Sequence, residues 1–362
     1  MEYSKTCTTD RILIIHESDG RPYFHFFDGK PIIATYWQAS SFRIFIKNTL
    51  INKTGLSVAL GTMLRSLYTR IQQLYIKTDH LILCFAPYDF RIIYYLPIII
   101  RSKRVIYHTS WPFWWTDRIP RNYYLLNFAL RNFYKVFLSW EKVTTVCVTR
   151  STYQTIGKSA RKRLVIPHAI KIKTAKERKP TQQRLQIGYI GKLISEKGVL
   201  EYTELALSMK DYIFHIAGDG YHRDKVSEIA KKSRSINYHG YLESKEAILQ
   251  FYDTIDILIL PSLRIRKWEE LFGQVIIEAM SRGCVCICTD HTGPKSILTN
   301  GHNGYIVNEK KIQSESKKLI LELDCDRSTF QKLSQNAITD SLIYQKSQIR
   351  SEWFKLLGIN AK

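Results

Sequence analysis

What is missing narrows the field first. No hydrophobic run reaches the ~20 residues that cross a bilayer as a helix. The most apolar run, 92–100, is short and bounded by Arg91 and Arg101. Residues 1–10 are polar and only Ile12 to Ile15 follow as a short apolar run, so no secretory leader is expected. Gly20 and Gly55 lie in loops but lack the Gly-x-Gly-x-x-Gly spacing, so the dinucleotide fingerprint is absent. With 17 glycines and 10 prolines, the composition is not that of a disordered or collagen-like chain. Seven cysteines, an odd number without paired metal-ligand spacing, fit a reducing cytoplasm better than a disulfide framework. Cys284, Cys286 and Cys288 alternate along one apolar stretch and read as small buried residues. Acidic residues are scarce too: 32 Asp+Glu face 54 Lys+Arg, a net charge of +22. Residues 1–170 hold 24 of the basic residues and 9 of the acidic ones, a net +15. A basic front half implies an anionic partner: nucleic acid, anionic lipid or a phosphate-bearing substrate.

What is present reads as α/β. The 362 residues suffice for two domains with separate cores. In the front half, apolar runs at 11–15, 32–36, 80–85, 104–109, 144–148 and 164–166 read as strands. Residues 55–74 have helical periodicity, as do 89–100, where Pro97 is expected to end or kink the helix. Alternating strands and helices imply a parallel sheet and a Rossmann-like domain over 1–170. The charged stretch 171–184 reads as a basic linker. A second Rossmann-like domain is expected over 185–340, and a closing helix over 341–362 that crosses back to the front domain.

The organising stretch of the back half is 261–288. The apolar run 255–260 is a strand ending at Pro261-Ser262. After it come Glu270, Phe272, Gly273, Glu278 and Met280, then a second apolar run, 285–288. Helix propensity rises from Gly273, which puts Glu270 ahead of the helix and Glu278 inside it. Eight positions would separate the carboxylates by roughly 12 Å in a helix, too far for one shared proton or metal. The spacing suits a long ligand gripped at two places, with a helix N-terminus between them that favours a phosphate. A nucleotide diphospho-sugar has those parts. Taken alone, the pair reads sooner as two solvated glutamates on an amphipathic helix.

The surrounding motifs carry more. Pro261-Ser262, Glu270, Phe272-Gly273, Glu278 to Gly283, Gly293-Pro294 and Gly304 to Val307 resemble the retaining glycosyltransferases of family 4, which have the GT-B fold. Gly188 to Gly198 resembles that family's first donor-domain motif, and Ile216 to Gly220 its second. The resemblance is close over 185–310 and one of layout over 1–170. It implies two Rossmann-like domains facing across a cleft, a nucleotide diphospho-sugar donor (UDP- or GDP-linked), a glycan or lipid-linked acceptor, and no metal or other cofactor. It assigns catalysis to Glu270 and His108, which would orient the sugar. Donor binding falls to Gly191, Lys192, Lys197, Gly218, Asp219, Gly220, Phe272, Gly273 and Glu278. Glu278 would hold the ribose, and the two lysines with the N–H groups near Phe272-Gly273 would hold the diphosphate. Three departures stand out. Lys192 replaces an arginine and loses its bidentate fork. The loop 263–269 is longer and basic, with Arg264, Arg266 and Lys267, which bears on the donor sugar. Lys295 stands where a glutamate is common.

Residues 107–140 hold twelve aromatics, four of the chain's seven tryptophans among them, interleaved with Arg118, Arg121, Arg131 and Lys135. That mixture suits an anionic membrane surface, with attachment at the cytoplasmic face of the plasma membrane. It equally suits a core helix with snorkelling cations. Stacking on single-stranded nucleic acid would need similar residues, but no recognisable RNA-binding motif accompanies them. Asp324-Cys325-Asp326 has metal-chelating spacing but follows a charged helix, and reads as surface. Two rival functions use other features: a GT-B sugar-nucleotide epimerase would need extra front-domain carboxylates (Glu17, Asp19 and Asp89 are the candidates), and a non-catalytic basic binding protein would need only the charge.

Overall fold

The computed structural model describes residues 10–17, 20–27, 32–38, 61, 64, 68, 71, 75–76, 78–118, 120, 123–170, 173–175, 177, 183–265 and 268–359. The chain divides into two compact units, 1–167 with 350–362, and 168–349.

The first unit is built on β1 (Asp10–His16), β2 (Ile32–Gln38), β3 (His80–Cys84), β4 (Arg104–Thr109), β5 (Val143–Cys147) and β6 (Lys162–Val165). All pair in parallel, in the order β2-β1-β3-β4-β5-β6. The central strands are continuous apolar runs because helices cover both faces of such a sheet; β3 is buried along its whole length. The expected helix 89–100 differs from expectation. Residues Phe90–Tyr95 form a 3-10 turn whose N-cap, Asp89, accepts the Arg91 N–H. A separate helix, Leu96–Arg101, then starts with Pro97 in its first turn. Pro97 therefore opens a helix, where its missing N–H costs nothing. Gly20 lies between β1 and the short helix Arg21–Phe24, as expected of a loop position, and is buried. Gly55 and most of the helix expected at 55–74 lie outside the described residues.

The aromatic run serves mainly the core. Tyr107, Trp114, Tyr134 and Phe137 are buried in one cluster with Tyr88, their rings packed edge to face. The helix α1 (Asn127–Ser139) contributes Leu130, Tyr134, Phe137 and Leu138 to it. The interleaved cations stack on rings: Arg118 over Phe113 at 4.4 Å, Arg131 over Tyr88 at 5.6 Å and Lys135 over Trp115 at 5.6 Å. Arg121 lies outside the described residues. One apolar face stays in solvent: Leu125 is 96% exposed, and Leu126, Phe128 and Val136 are also exposed.

The second unit is built on β7 (Ile187–Ile190), β8 (Phe214–Ala217), β9 (Ile236–Tyr238), β10 (Ile257–Leu260), β11 (Val285–Thr289) and β12 (Gly304–Val307). They are parallel in the order β12-β11-β10-β7-β8-β9. Strand order therefore reverses between β7 and β10, and ligands of open α/β sheets bind at the carboxyl end of such a switch. Cys284, Cys286 and Cys288 are fully buried free thiols, as expected.

Asp324 corrects the surface reading. It accepts the Leu185 N–H at 3.1 Å and the Tyr212 hydroxyl at 2.9 Å, and it pairs with Arg327. It brackets the chain as it enters β7. Asp326 caps the helix Arg327–Ser341. The expected linker starts inside this second unit, where Ala175 N–H donates to Ser281 O. Most of 171–184 is outside the described residues.

Candidate active site

Three loops at the carboxyl ends of β7, β8 and β10 are zipped together by backbone. The loop after β7 donates Gly191 N–H to Ala217 O and Leu193 N–H to Asp219 O. Its far end accepts Leu263 N–H at Glu196 O. Two glycines allow this approach. A Cβ on Gly218 would stand 1.8 Å from Gly191 O, and one on Gly198 1.8 Å from Pro261 O; both have positive φ. The sequence motifs at 191–198 and 218–220 therefore bring these loops into one surface. A Cβ on Gly220 would also crowd the Leu193 backbone, at 2.7 Å from its carbonyl oxygen. Asp219 is exposed and accepts the Gly220 N–H.

On this surface Lys197 Nζ forms an ion pair with Glu270 Oε2. Both side chains are mostly buried, Lys197 22% and Glu270 12% exposed. The Lys197 ammonium also lies 5.1 Å from the centre of the Trp268 ring. Thus the residue expected at the diphosphate and the residue expected at the sugar are direct partners. Lys192 stands exposed on the same loop.

The helix α2 (Gln274–Ser281) begins immediately after this pair. Its N-cap is Gly273, at φ +84°, and no side chain caps it. A Cβ there would meet Ile276 at 2.7 Å, so the glycine is required by this close contact and by its positive φ. Phe272 points away into packing: it is buried, with its ring edge-on to His168 at 4.8 Å. Glu278 is the fifth residue of α2, 8% exposed, and accepts the Tyr252 hydroxyl at 3.2 Å. Burial and this neighbouring carboxylate push the Tyr252 phenol well up, so it stays protonated and donates.

Sequence reasoning missed the residues that hold Glu270. Its N–H donates to His291 Nδ1 at 3.0 Å, and its carbonyl accepts the Gly293 N–H at 2.8 Å. Arg264 binds Asp290 Oδ1 at 2.9 Å, lies 3.4 Å from Glu309 and 3.6 Å from Glu269. Glu269 in turn accepts from the Thr292 hydroxyl. The unusual loop 263–269 is therefore clamped to the turn after β11. Its basic character was the available signal, for Arg264 at least. Arg266 and Lys267 lie outside the described residues. Lys295 lies 3.7 Å from Asp290 in the same network.

His108, in the first unit, closes β4 as expected. It is buried, edge-on to Phe24 at 5.1 Å and tilted against Trp353 at 6.0 Å, with Nδ1 3.9 Å from Cys84 Sγ. Of the rival epimerase's carboxylates, Glu17 and Asp89 both pair with Arg91, at 3.2 and 2.5 Å. Asp19 lies outside the described residues. Among the described residues no group of three or more His, Cys, Asp or Glu could hold a metal ion. No helix among them is long and apolar enough to cross a membrane.

Two parallel α/β units, with loops converging at the switch point of the second, define a protein of the GT-B fold. Residues 171–340, which lie within the second unit, match the family described as Glycosyl transferases group 1. The chain is 30% identical to the alpha-D-kanosaminyltransferase of Streptomyces kanamyceticus over 139 residues, 36% of this chain and 34% of that protein. It is also 30% identical to the capsular polysaccharide biosynthesis glycosyltransferase CapM of Staphylococcus aureus over 149 residues, 37% of this chain and 36% of that protein. The matched stretch thus spans about a third of these relatives. Among solved structures, Anabaena HepE in complex with UDP superposes with a TM-score of 0.68 at 14% identity, covering 96% of this chain and 99% of that one. The lipopolysaccharide outer core galactosyltransferase WaaB gives 0.62 at 14% identity, over 96% and 99%.

Proposed function

We propose that this protein is a retaining glycosyltransferase of the family 4 type. It moves a sugar from a UDP- or GDP-sugar to a glycan or lipid-linked acceptor in cell-surface polysaccharide or glycolipid synthesis. The observation that carries this reading is the Lys197–Glu270 pair beside the side-chain-uncapped start of α2, at the β7/β10 switch point. A lysine ammonium and helix N–H groups suit a diphosphate, and a glutamate beside them suits sugar hydroxyls. The names of relatives support the pathway class: capsular polysaccharide synthesis for CapM and outer-core lipopolysaccharide for WaaB.

In this reading Glu278 accepts the ribose hydroxyls, with Tyr252 fixing its carboxylate. Lys192, Lys197 and the first N–H groups of α2 bind the diphosphate. As the bond from the anomeric carbon to the diphosphate oxygen breaks, the leaving oxygen takes the electron pair and these donors stabilise it. The acceptor hydroxyl then bonds to the anomeric carbon on the same face, and its proton passes to the departing phosphate oxygen. Preorganised donors of this kind are commonly the largest catalytic term. No metal is required, because the positive field comes from the lysines and the helix. The resemblance gives His108 a neutral hydrogen-bonding role toward the sugar, and that role is retained as part of the proposal.

The enzyme works at the cytoplasmic face of the membrane. Exposed Leu125, Leu126, Phe128 and Val136 lie on and beside α1, which also carries Arg131 and Lys135. Apolar area with nearby cations favours an anionic bilayer surface. The functional reading is tested by isothermal titration with UDP and GDP, followed by transfer assays with their sugars. Failure to bind either nucleotide would overturn it.

A further inference from the structure

We infer that His291 is a positioning residue for Glu270, acting through a backbone hydrogen bond that only its neutral imidazole can make. The inference rests on the proposed role of Glu270 at the transferred sugar. His291 is fully buried at the turn after β11 and does not reach the ligand surface through its own side chain. What it does is hold one peptide. Its Nδ1 takes the Glu270 N–H at 3.0 Å, while Gly293, two residues on, gives its N–H to the Glu270 carbonyl at 2.8 Å. Both backbone polar groups of Glu270, which belong to the successive peptides on either side of it, are thus fixed by the single turn 291–293. A residue gripped at its N–H and its C=O presents its side chain in one direction, here toward Lys197.

The protonation state follows from geometry. A ring nitrogen that accepts an N–H carries no proton, so the neutral ring is protonated on Nε2. Nε2 lies 3.4 Å from Glu309 Oε2. The charged groups around the ring are Glu309, Glu269, Asp290, Lys295 and Arg264, and the Trp268 ring packs 6.3 Å away. Arg264 answers the three carboxylates, so they do not draw a second proton onto the imidazole unopposed. Burial, with Arg264 close by, lowers the imidazole from its ordinary range. At neutral pH the bond to Glu270 is intact. Acidification places a proton on Nδ1 facing the Glu270 N–H, and the hold is lost. Lys197 then pairs with a carboxylate that is free to turn.

The test compares wild type, His291→Ala and His291→Asn by amide hydrogen exchange at Glu270, UDP binding and a pH profile of donor turnover. The alanine variant should speed Glu270 amide exchange by about tenfold, the scale of one lost hydrogen bond to a buried group. Its kcat should fall while its affinity for UDP stays unchanged. The asparagine variant, whose Oδ1 accepts an N–H but does not titrate, should restore protection and remove the acid limb of kcat that the wild type shows. Equal Glu270 exchange in wild type and His291→Ala, or an acid limb that survives in His291→Asn, would overturn the inference. If the alanine variant does not fold, Glu270 exchange in the wild type decides: loss of protection on acidification supports the inference, and unchanged protection overturns it. A wild type that turns over no nucleotide-sugar would count against the functional reading, while the exchange result would still decide the role of His291.

Discussion

The Lys197 ammonium and the Glu270 carboxylate are ion-paired across the ends of β7 and β10, strands joined at the switch point of the second sheet. The pair ties the first donor-domain motif to the last loop before α2. Because both side chains are mostly buried, its members should be energetically coupled by about 0.5–3 kcal/mol, beyond what exposed pairs give. Lys197→Met should lower kcat by at least about tenfold, or about 1.4 kcal/mol of transition-state stabilisation. Lys197→Met/Glu270→Gln should lose less than the sum of the single effects. Strict additivity in that cycle would show that the pair has no joint role.

Glu278 makes a separate contribution. In Glu278→Ala the hydroxyl partners lose a buried acceptor, so UDP affinity should weaken by about 1–3 kcal/mol. The Tyr252 hydroxyl would lose its acceptor as well, so folding is checked by circular dichroism. Titration calorimetry that finds unchanged UDP affinity in a folded variant would remove Glu278 from the ribose.

Stability should respond to acid through the first strands of the second sheet. His215 has Nε2 2.7 Å from Gln186 Oε1 and Nδ1 3.0 Å from His239 Nε2. Burial first, then the neighbouring His239, pushes the His215 imidazole down to about 4. An unfolded histidine titrates near 6.5. Between these values the unfolded chain binds the extra proton, so stability rises with pH there. The melting temperature should therefore fall as pH drops from about 6.5 to about 4. His215→Asn should flatten that slope; an identical slope would place the acid sensitivity elsewhere.

Much of this arrangement was legible in the sequence. The strands were read from apolar runs, because parallel strands buried on both faces need continuous Val, Ile and Leu. Glu270, Gly273 and Glu278 were placed correctly relative to α2, because a glycine before a helical pattern marks its start. Pro97 misled because proline reads as a breaker until the turn before it is known to be 3-10. Asp324 misled because nothing in its neighbours discloses contacts to Leu185 and Tyr212, more than a hundred residues away. His291 was invisible as a holder of Glu270 for the same reason. Local pattern reports the face a residue takes, and long-range backbone partners leave no such trace.

The basic-aromatic stretch gives a membrane prediction that its structure sharpens. Arg118, Arg131 and Lys135 stack on rings of the same unit, while Leu125 and Phe128 stand in solvent. Co-sedimentation with anionic vesicles should exceed that with neutral vesicles and weaken as salt rises. Replacing Arg118, Arg121, Arg131 and Lys135 by glutamine should reduce it, at about 1 kcal/mol per cation near the surface. Equal pelleting with both lipids would favour a soluble acceptor.

The central claim is that the surface around Lys197 and Glu270 consumes a nucleotide diphospho-sugar. The most direct measurement is a screen of UDP-, GDP- and ADP-sugars for nucleotide release, in EDTA, comparing the wild type with Glu270→Ala. The account predicts release of UDP or GDP by the wild type without added metal, and loss of at least about 100-fold in the variant, the scale of about 2.7 kcal/mol at the transition state. No release from any donor, strict dependence on divalent metal, or equal release by Glu270→Ala would contradict it.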